Sequence, residues 1–248
     1  ALNDSLNLLD MRKEGSTEYY ESLESAQEFI TKEFYEKHCD KEQEPVVCCV
    51  GHTHIDCAWL WTLKVTEDKS VRSFSTVLNL MKEYPEYIFM SSQPQLYKYV
   101  KKNAPQVYEQ IKERVKEGRW ETEGGMFVEA DCNLASGEAL VRQFMHGKKF
   151  FKDEFETDNK ILWLPDVFGY SAALPQIMQK CGIPYFMTTK ISWNELNKMP
   201  YDTFEWEGID GSRVLTHFIP TRDYNKAAVE GGTETEHFTT YNGFLNPS

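Results

Sequence analysis

The sequence predicts an α/β protein built on a mostly parallel sheet with crossover helices. Three observations carry that expectation. Short apolar runs recur along the chain, separated by stretches with apolar residues at helical spacing, and this alternation yields right-handed βαβ units in an open sheet or a barrel. One run, VVCCV at residues 46–50, is continuously hydrophobic, as in a strand buried on both faces of a parallel sheet. Polar groups follow it at once: His52, His54 and Asp56 alternate with Thr53 and Ile55, and a period of two turns all three side chains to one side of an extended chain.

Residues 1–45 read as a charged, helical lead-in. Leu23, Ala26, Ile30 and Phe34 are spaced for one face of a helix starting near Ser16, packed outside the sheet. After the first strand, Val71, Phe74, Leu78 and Met81 mark an amphipathic helix stopped by Pro85. Residues 87–92 (YIFMSS) form a second short strand, and 105–115 a helix with Pro105 in its first turn and Gly118 past its end. A third strand is expected at 119–122. Ser136 then caps a helix carrying Leu140, Phe144 and Met145. Residues 161–164 form the next strand, an apolar helix runs to Cys181 and Gly182, 185–188 is a further strand, and EWEGIDGSRVLTHF is a hairpin. The stretch 221–248 is polar, Gly- and Thr-rich and patternless, a loop after which more chain is expected. The missing initiator Met before Ala1 also points to a processed or excised piece.

The 248 residues are enough for one large α/β domain, and 41 % hydrophobic with 27 % charged residues is ordinary for a globular protein. Acidic residues outnumber basic ones 39 to 27, and the resulting charge of −12 argues against nucleic acid or an anionic membrane as partner. No apolar run reaches the length of a membrane span, and no signal-peptide pattern is present, so the chain is expected to be soluble. The six cysteines show no C-x-x-C pair, which favours reduced thiols and a cytoplasmic setting.

The H-x-H-x-D segment at a strand's carboxyl end has the donor types of a divalent metal site, imidazole nitrogen and carboxylate oxygen. Asp166 repeats the placement of Asp56: it follows the apolar strand of ILWLPD, and in a parallel sheet both strand ends open on one side, within reach of one ion. Alone, Asp166 reads more readily as a cap of the helix beginning around Ser171. Glu129, Asp131 and Asn133, two apart, face one side of an extended segment, and Asp131 is the preferred site candidate of the three.

Four ordered segments, GHTHIDCAWLWT, EGGMFVEADCNLASGEALVRQF, WLPDVFGYSAALPQI and TTKISWNELNKMPYDTFEWEGIDGSRVLTHF, resemble glycoside hydrolase family 38, the α-mannosidases, over residues 46–219. The TTKISWN and GIDGS segments are most similar to its cytosolic and bacterial branch. The resemblance implies residues 46–220 as the larger part of an incomplete seven-stranded β/α barrel that hydrolyses α-mannosides with retention. It implies one Zn2+ held by His54, Asp56 and Asp166, with His52 beside the ligands, and Asp166 also as the catalytic nucleophile. Trp59 matches the aromatic wall of the sugar subsite, Phe168 an aromatic neighbour of the nucleophile, and Lys190 a basic residue near the sugar; Asp131 joins them by motif similarity.

The family's fourth zinc ligand, a histidine, and its general acid/base have no counterpart here and are expected beyond Ser248, so the piece alone is expected to be inactive. A homo-oligomer through domains outside the chain is compatible with the resemblance. Two other functions fit the early motif. A zinc amidohydrolase or deacetylase would use His52 and His54 as ligands but needs further histidines at strand ends, and His146, His217 and His237 are not placed so. A non-catalytic carbohydrate-binding module has no use for a carboxylate such as Asp166.

Overall fold

The computed structural model describes residues 2–38, 49–193 and 201–219. Two compact units divide the chain, residues 1–49 and 50–248. The first is helical: α1 (Leu2–Leu6), α2 (Thr17–Ile30), a π-helical turn at Thr31–Tyr35 and a last short turn, α3 (Glu36–His38). Ser16 caps α2 as expected, its side chain accepting the Tyr19 N–H at 3.2 Å. The inward face differs from the predicted one. Ser22 and Ala26 are buried while Leu23 is exposed, because the Ser22 hydroxyl donates to Tyr19 O and accepts the N–H of Asp10, drawing the 7–16 loop over that side.

The second unit alternates strands and helices: β1 (Gly51–His52), α4 (Leu63–Glu83), β2 (Phe89–Met90), α5 (Pro94–Asn103), α6 (Pro105–Lys116), β3 (Trp120–Glu121), α7 (Gly137–Phe155), β4 (Ile161–Leu164), α8 (Leu174–Lys180), β5 (Tyr185–Thr188), β6 (Thr203–Glu207) and β7 (Arg213–Phe218). Strands β1-β2-β3 pair in parallel, and β4-β5-β7 do likewise, with β6 antiparallel on β7 as the predicted hairpin. A parallel bridge from Gly124 to Leu162 joins the two sheets. The mostly parallel α/β class is therefore the observed one.

Residues 46–48 of the expected first strand lie outside the described residues; among the described ones Cys49 and Val50 are exposed, and Gly51 N–H donates to Ile88 O at the start of β1. A Cβ on residue 51 would meet the Tyr87 hydroxyl at 2.1 Å, so a larger residue there would displace the Tyr87 ring. Helix α5 escaped sequence reading because Pro94 and Pro105 split one helical stretch into two; each starts its own helix, where the missing N–H costs nothing. The tail 221–248 and the segment 194–200 lie outside the described residues.

Two apolar clusters hold the sheet. Phe74, Phe89, Tyr97, Trp120 and Phe151 meet edge to face or tilted beneath α4 to α7, and Leu162, Leu164, Leu174, Met178, Phe186 and Val214 pack between β4, β5, β7 and α8. Each such side chain contributes about 1.5–3 kcal/mol when fully buried. Trp120 and Tyr97 also satisfy their polar ends: the indole N–H donates to the Tyr97 hydroxyl at 2.8 Å, which donates to Ser91 O at 2.9 Å. That chain runs from the core to the carboxyl end of β2. The sheet is also strongly curled. Strands β1 and β4 are three interstrand steps apart, about 14 Å in a flat sheet, yet His52 and Trp163 touch, with ring centroids 5.1 Å apart. Among the described residues β1 and β6 remain end strands.

Candidate active site

The carboxyl ends of β1, β2 and β4, and the loop after β3, converge on His54. Its Nε2 lies 3.2 Å from Asp56 Oδ1 and 3.4 Å from Asp166 Oδ2, and one donor atom from each of the three residues lies within 4.8 Å of the others. Its other nitrogen, Nδ1, lies 2.7 Å from Glu129 Oε2. The His54 and Glu129 side chains are only 7 % and 4 % exposed, so the imidazole is clamped between carboxylates with little water to screen them. Burial disfavours the imidazolium, but Glu129, Asp56 and Asp166 outweigh it and raise the pKa of His54 to about 9.

This donor set fits a divalent metal ion. Four-coordinate bonds of 2.0–2.1 Å put neighbouring ligand atoms about 3.3 Å apart, which the two distances at Nε2 bracket. The residues that would hold the ion are the predicted His54, Asp56 and Asp166. His52 is arranged differently. Its Nδ1–H donates to Met90 O at 3.0 Å and its Nε2 accepts the Trp163 indole N–H at 3.2 Å, which leaves no lone pair for a metal. Burial keeps this imidazole neutral, lowering its pKa.

Local structure fixes each ligand. The Thr66 hydroxyl in the first turns of α4 donates to Asp56 O at 3.2 Å and accepts the Trp61 indole N–H at 3.0 Å, tying the 56–62 loop to that helix. Within the loop Ala58 takes φ +126, a conformation that costs a non-glycine residue roughly 1–3 kcal/mol. The Asp166 turn is held by Tyr170, whose hydroxyl contacts Val167 O and sits 2.6 Å from Thr188 Oγ1 on β5. Asp166 therefore faces His54 and does not cap α8, whose N-cap is Ala173. Lys190, just after β5, places Nζ 2.5 Å from Asp166 Oδ1.

The other candidates are placed less directly. Trp59 and Phe168 are 67 % and 70 % exposed, their faces open beside the loops that carry Asp56 and Asp166. Asp131 is exposed, and its Oδ1 accepts the N–H groups of Asn133 and Leu134 at 2.8 and 2.7 Å. Its neighbour Glu129 points inward instead. Sequence reading passed over Glu129 in favour of Asp131 and missed Gln93, which sits at φ 62 after β2, donates to Ile55 O at 2.9 Å and accepts the Glu129 N–H at 3.2 Å. The available signal was the residue type before Pro94, a position barred from continuing as helix. Cys57 is a thiol pushed up to about 12 by burial and by the nearby Glu129 and Asp56 charges. His146 and His217 are exposed, away from the cluster, and His237 lies outside the described residues.

Comparison with known proteins agrees with this geometry. The profile described as "Glycosyl hydrolases family 38 N-terminal domain" matches residues 44–244. The chain is 50 % identical over 201 residues to Alpha-mannosidase G of Dictyostelium discoideum, covering 81 % of this chain and 18 % of that protein. It is 49 % identical over 195 residues to Alpha-mannosidase 2C1 of Homo sapiens, covering 79 % and 19 %. The crystal structure of an alpha-mannosidase from Enterococcus faecalis V583 shares the fold, with a TM-score of 0.60, 22 % identity, and 68 % of this chain and 19 % of that one covered. The chain thus spans about a fifth of the length of the curated relatives it matches. With a matched profile that spans all three candidate ligands and most of the sequence, the chain belongs to glycosyl hydrolases family 38, as an N-terminal domain.

Proposed function

We propose that this chain supplies the metal-binding and nucleophilic part of the active site of a zinc-dependent, retaining α-mannosidase. The observation that carries the reading is the convergence of His54, Asp56 and Asp166 on one point. Family membership and relatives named α-mannosidases support the substrate class. One nitrogen and two oxygen donors suit zinc, which when bound acts as a Lewis acid toward sugar hydroxyls.

The protein's own residues do the rest. Asp166 attacks the anomeric carbon as the bond to the leaving oxygen breaks, forming a glycosyl ester that water then cleaves, so two inversions give retention. The leaving oxygen takes its proton from a second carboxylic acid, a role the sequence reading assigns beyond the 248 residues. Lys190 orients the Asp166 carboxylate through its ion pair. Trp59 and Phe168 offer exposed aromatic faces to the apolar side of a sugar ring. Asp131 retains Oδ2 outside its turn, and that oxygen is the one assigned to a sugar hydroxyl. Free thiols at Cys57, Cys132 and Cys181 support a cytoplasmic setting.

The test is release of product from an aryl α-mannoside by the full-length enzyme, before and after chelation and with zinc restored. Metal-dependent turnover with retained configuration is expected. Turnover indifferent to thorough metal removal overturns the roles of His54 and Asp56, and the absence of turnover on any α-mannoside overturns the substrate class.

A further inference from the structure

Glu129 belongs to neither the nucleophilic nor the sugar-binding set, yet its carboxylate is the most enclosed polar group facing His54. Its side chain is 4 % exposed and its Oε2 lies 2.7 Å from His54 Nδ1, on the side of the ring opposite Asp56 and Asp166. The carboxylate is itself oriented. Ser92 Oγ–H donates to Oε1 at 2.7 Å, and the Glu129 backbone N–H donates to Gln93 Oε1 at 3.2 Å. Gln93 in turn donates from Nε2 to Ile55 O at 2.9 Å, between the two metal-ligand candidates of the first loop. A Cβ on Gly124 would come within 2.6 Å of Ser92 Cβ, so the loop after β3 presses directly on the residue that anchors Glu129.

We infer, on the reading of the site as a metal centre, that Glu129 is a positioning residue for the metal: with Ser92 and Gln93 it fixes His54 as the Nδ1–H tautomer and aims Nε2 at the ion. A carboxylate at Nδ1 allows one tautomer only, since its oxygens accept and cannot donate, and it makes the opposite nitrogen a stronger donor. His52, two residues earlier, has the same Nδ1–H arrangement against a backbone carbonyl, but Trp163 consumes its Nε2. What separates the two histidines is the partner at Nε2, and what strengthens His54 is the charge at Nδ1. Such outer partners carry about 10- to 100-fold in metal affinity.

The experiment uses the full-length enzyme stripped of metal, with zinc affinity measured by competition against a chromophoric chelator and thermal midpoints recorded without zinc. Glu129→Gln keeps an acceptor at Nδ1 without the charge and is expected to weaken zinc binding about tenfold, beyond what any fall in the zinc-free midpoint accounts for. Glu129→Ala removes the acceptor and is expected to approach 100-fold. Wild-type zinc affinity in both variants overturns the inference, as does a loss of affinity in Glu129→Gln that merely tracks a fall in the zinc-free midpoint. A wild-type enzyme that binds no zinc refutes the metal reading itself. That outcome is separate from wild-type zinc binding that depends on His54 and Asp56 but not on Glu129.

Discussion

The Trp163 indole N–H on β4 ends 3.2 Å from Nε2 of His52 on β1, and this contact occupies the lone pair that His52 would need as a metal ligand. Spacing alone makes His52 and His54 equivalent, since both project to the same side. Curling of the sheet brings β4 to β1, and the indole meets the first imidazole while the second faces Asp56 and Asp166 with Nε2.

The two histidines should therefore respond differently to replacement. In the full-length enzyme His54→Gln is expected to lose bound zinc, whereas His52→Gln keeps it and loses about 1–3 kcal/mol of stability from its broken bonds to Met90 and Trp163. Metal analysis after dialysis and urea unfolding distinguish them. The reverse pattern would restore His52 as a ligand.

Trp59 and Phe168 are too exposed to carry much of the core. Replacing either by Ala should raise KM for an aryl α-mannoside about tenfold, the scale of a lost aromatic contact of 1–1.5 kcal/mol, with a thermal midpoint within about 2 °C of wild type. A large fall in midpoint with unchanged KM would make them packing residues instead.

Glu123 gives a pH-dependent prediction. Burial raises its pKa above the ordinary 4.5, despite N–H groups from Lys160 and Ile161 that favour the anion. The folded state thus holds the proton more tightly than the unfolded state, so stability from this group is present below pH 4.5 and is lost as pH rises through the folded pKa. Glu123→Gln should be more stable than wild type at pH 7 and equal to it near pH 4, by urea midpoints at both values. A less stable Gln variant at pH 7 would mean that the N–H contacts outweigh burial.

Gly147 on α7 faces backbone: a Cβ there would meet Gly125 O at 2.2 Å and Met126 C at 2.5 Å. Because main chain and not a flexible side chain is in the way, Gly147→Ala should cost about 1–3 kcal/mol or more, measured by urea unfolding. It should also disturb the loop leading to Glu129. A neutral result would show that α7 can move off that loop freely.

Much of this was legible in the sequence. The strands at 161–164 and 185–188 and the Ser16 and Ser136 caps follow from apolar runs and capping chemistry, all local signals, whereas the choice of His54, Asp56 and Asp166 over His52 comes from the family resemblance and not from spacing. What was not legible depends on distant partners. Glu129 turns inward while Asp131 turns outward because Ser92 and Gln93 await the first and two backbone N–H groups hold the second. Strand periodicity placed both carboxylates on one face, but residues 127–130 are not a strand.

The Trp163–His52 bond also spans 111 residues of sequence. At roughly 5–20 residues synthesised per second, the ribosome delivers the indole about 6 to 22 s after the histidine. For that interval His52 has no indole to accept from, and the two histidines of H-T-H-I-D are alike in that respect. Arrival of β4 sets the two apart and brings Asp166 beside His54 in the same stroke, so the candidate site takes shape only once the chain has been made as far as residue 166.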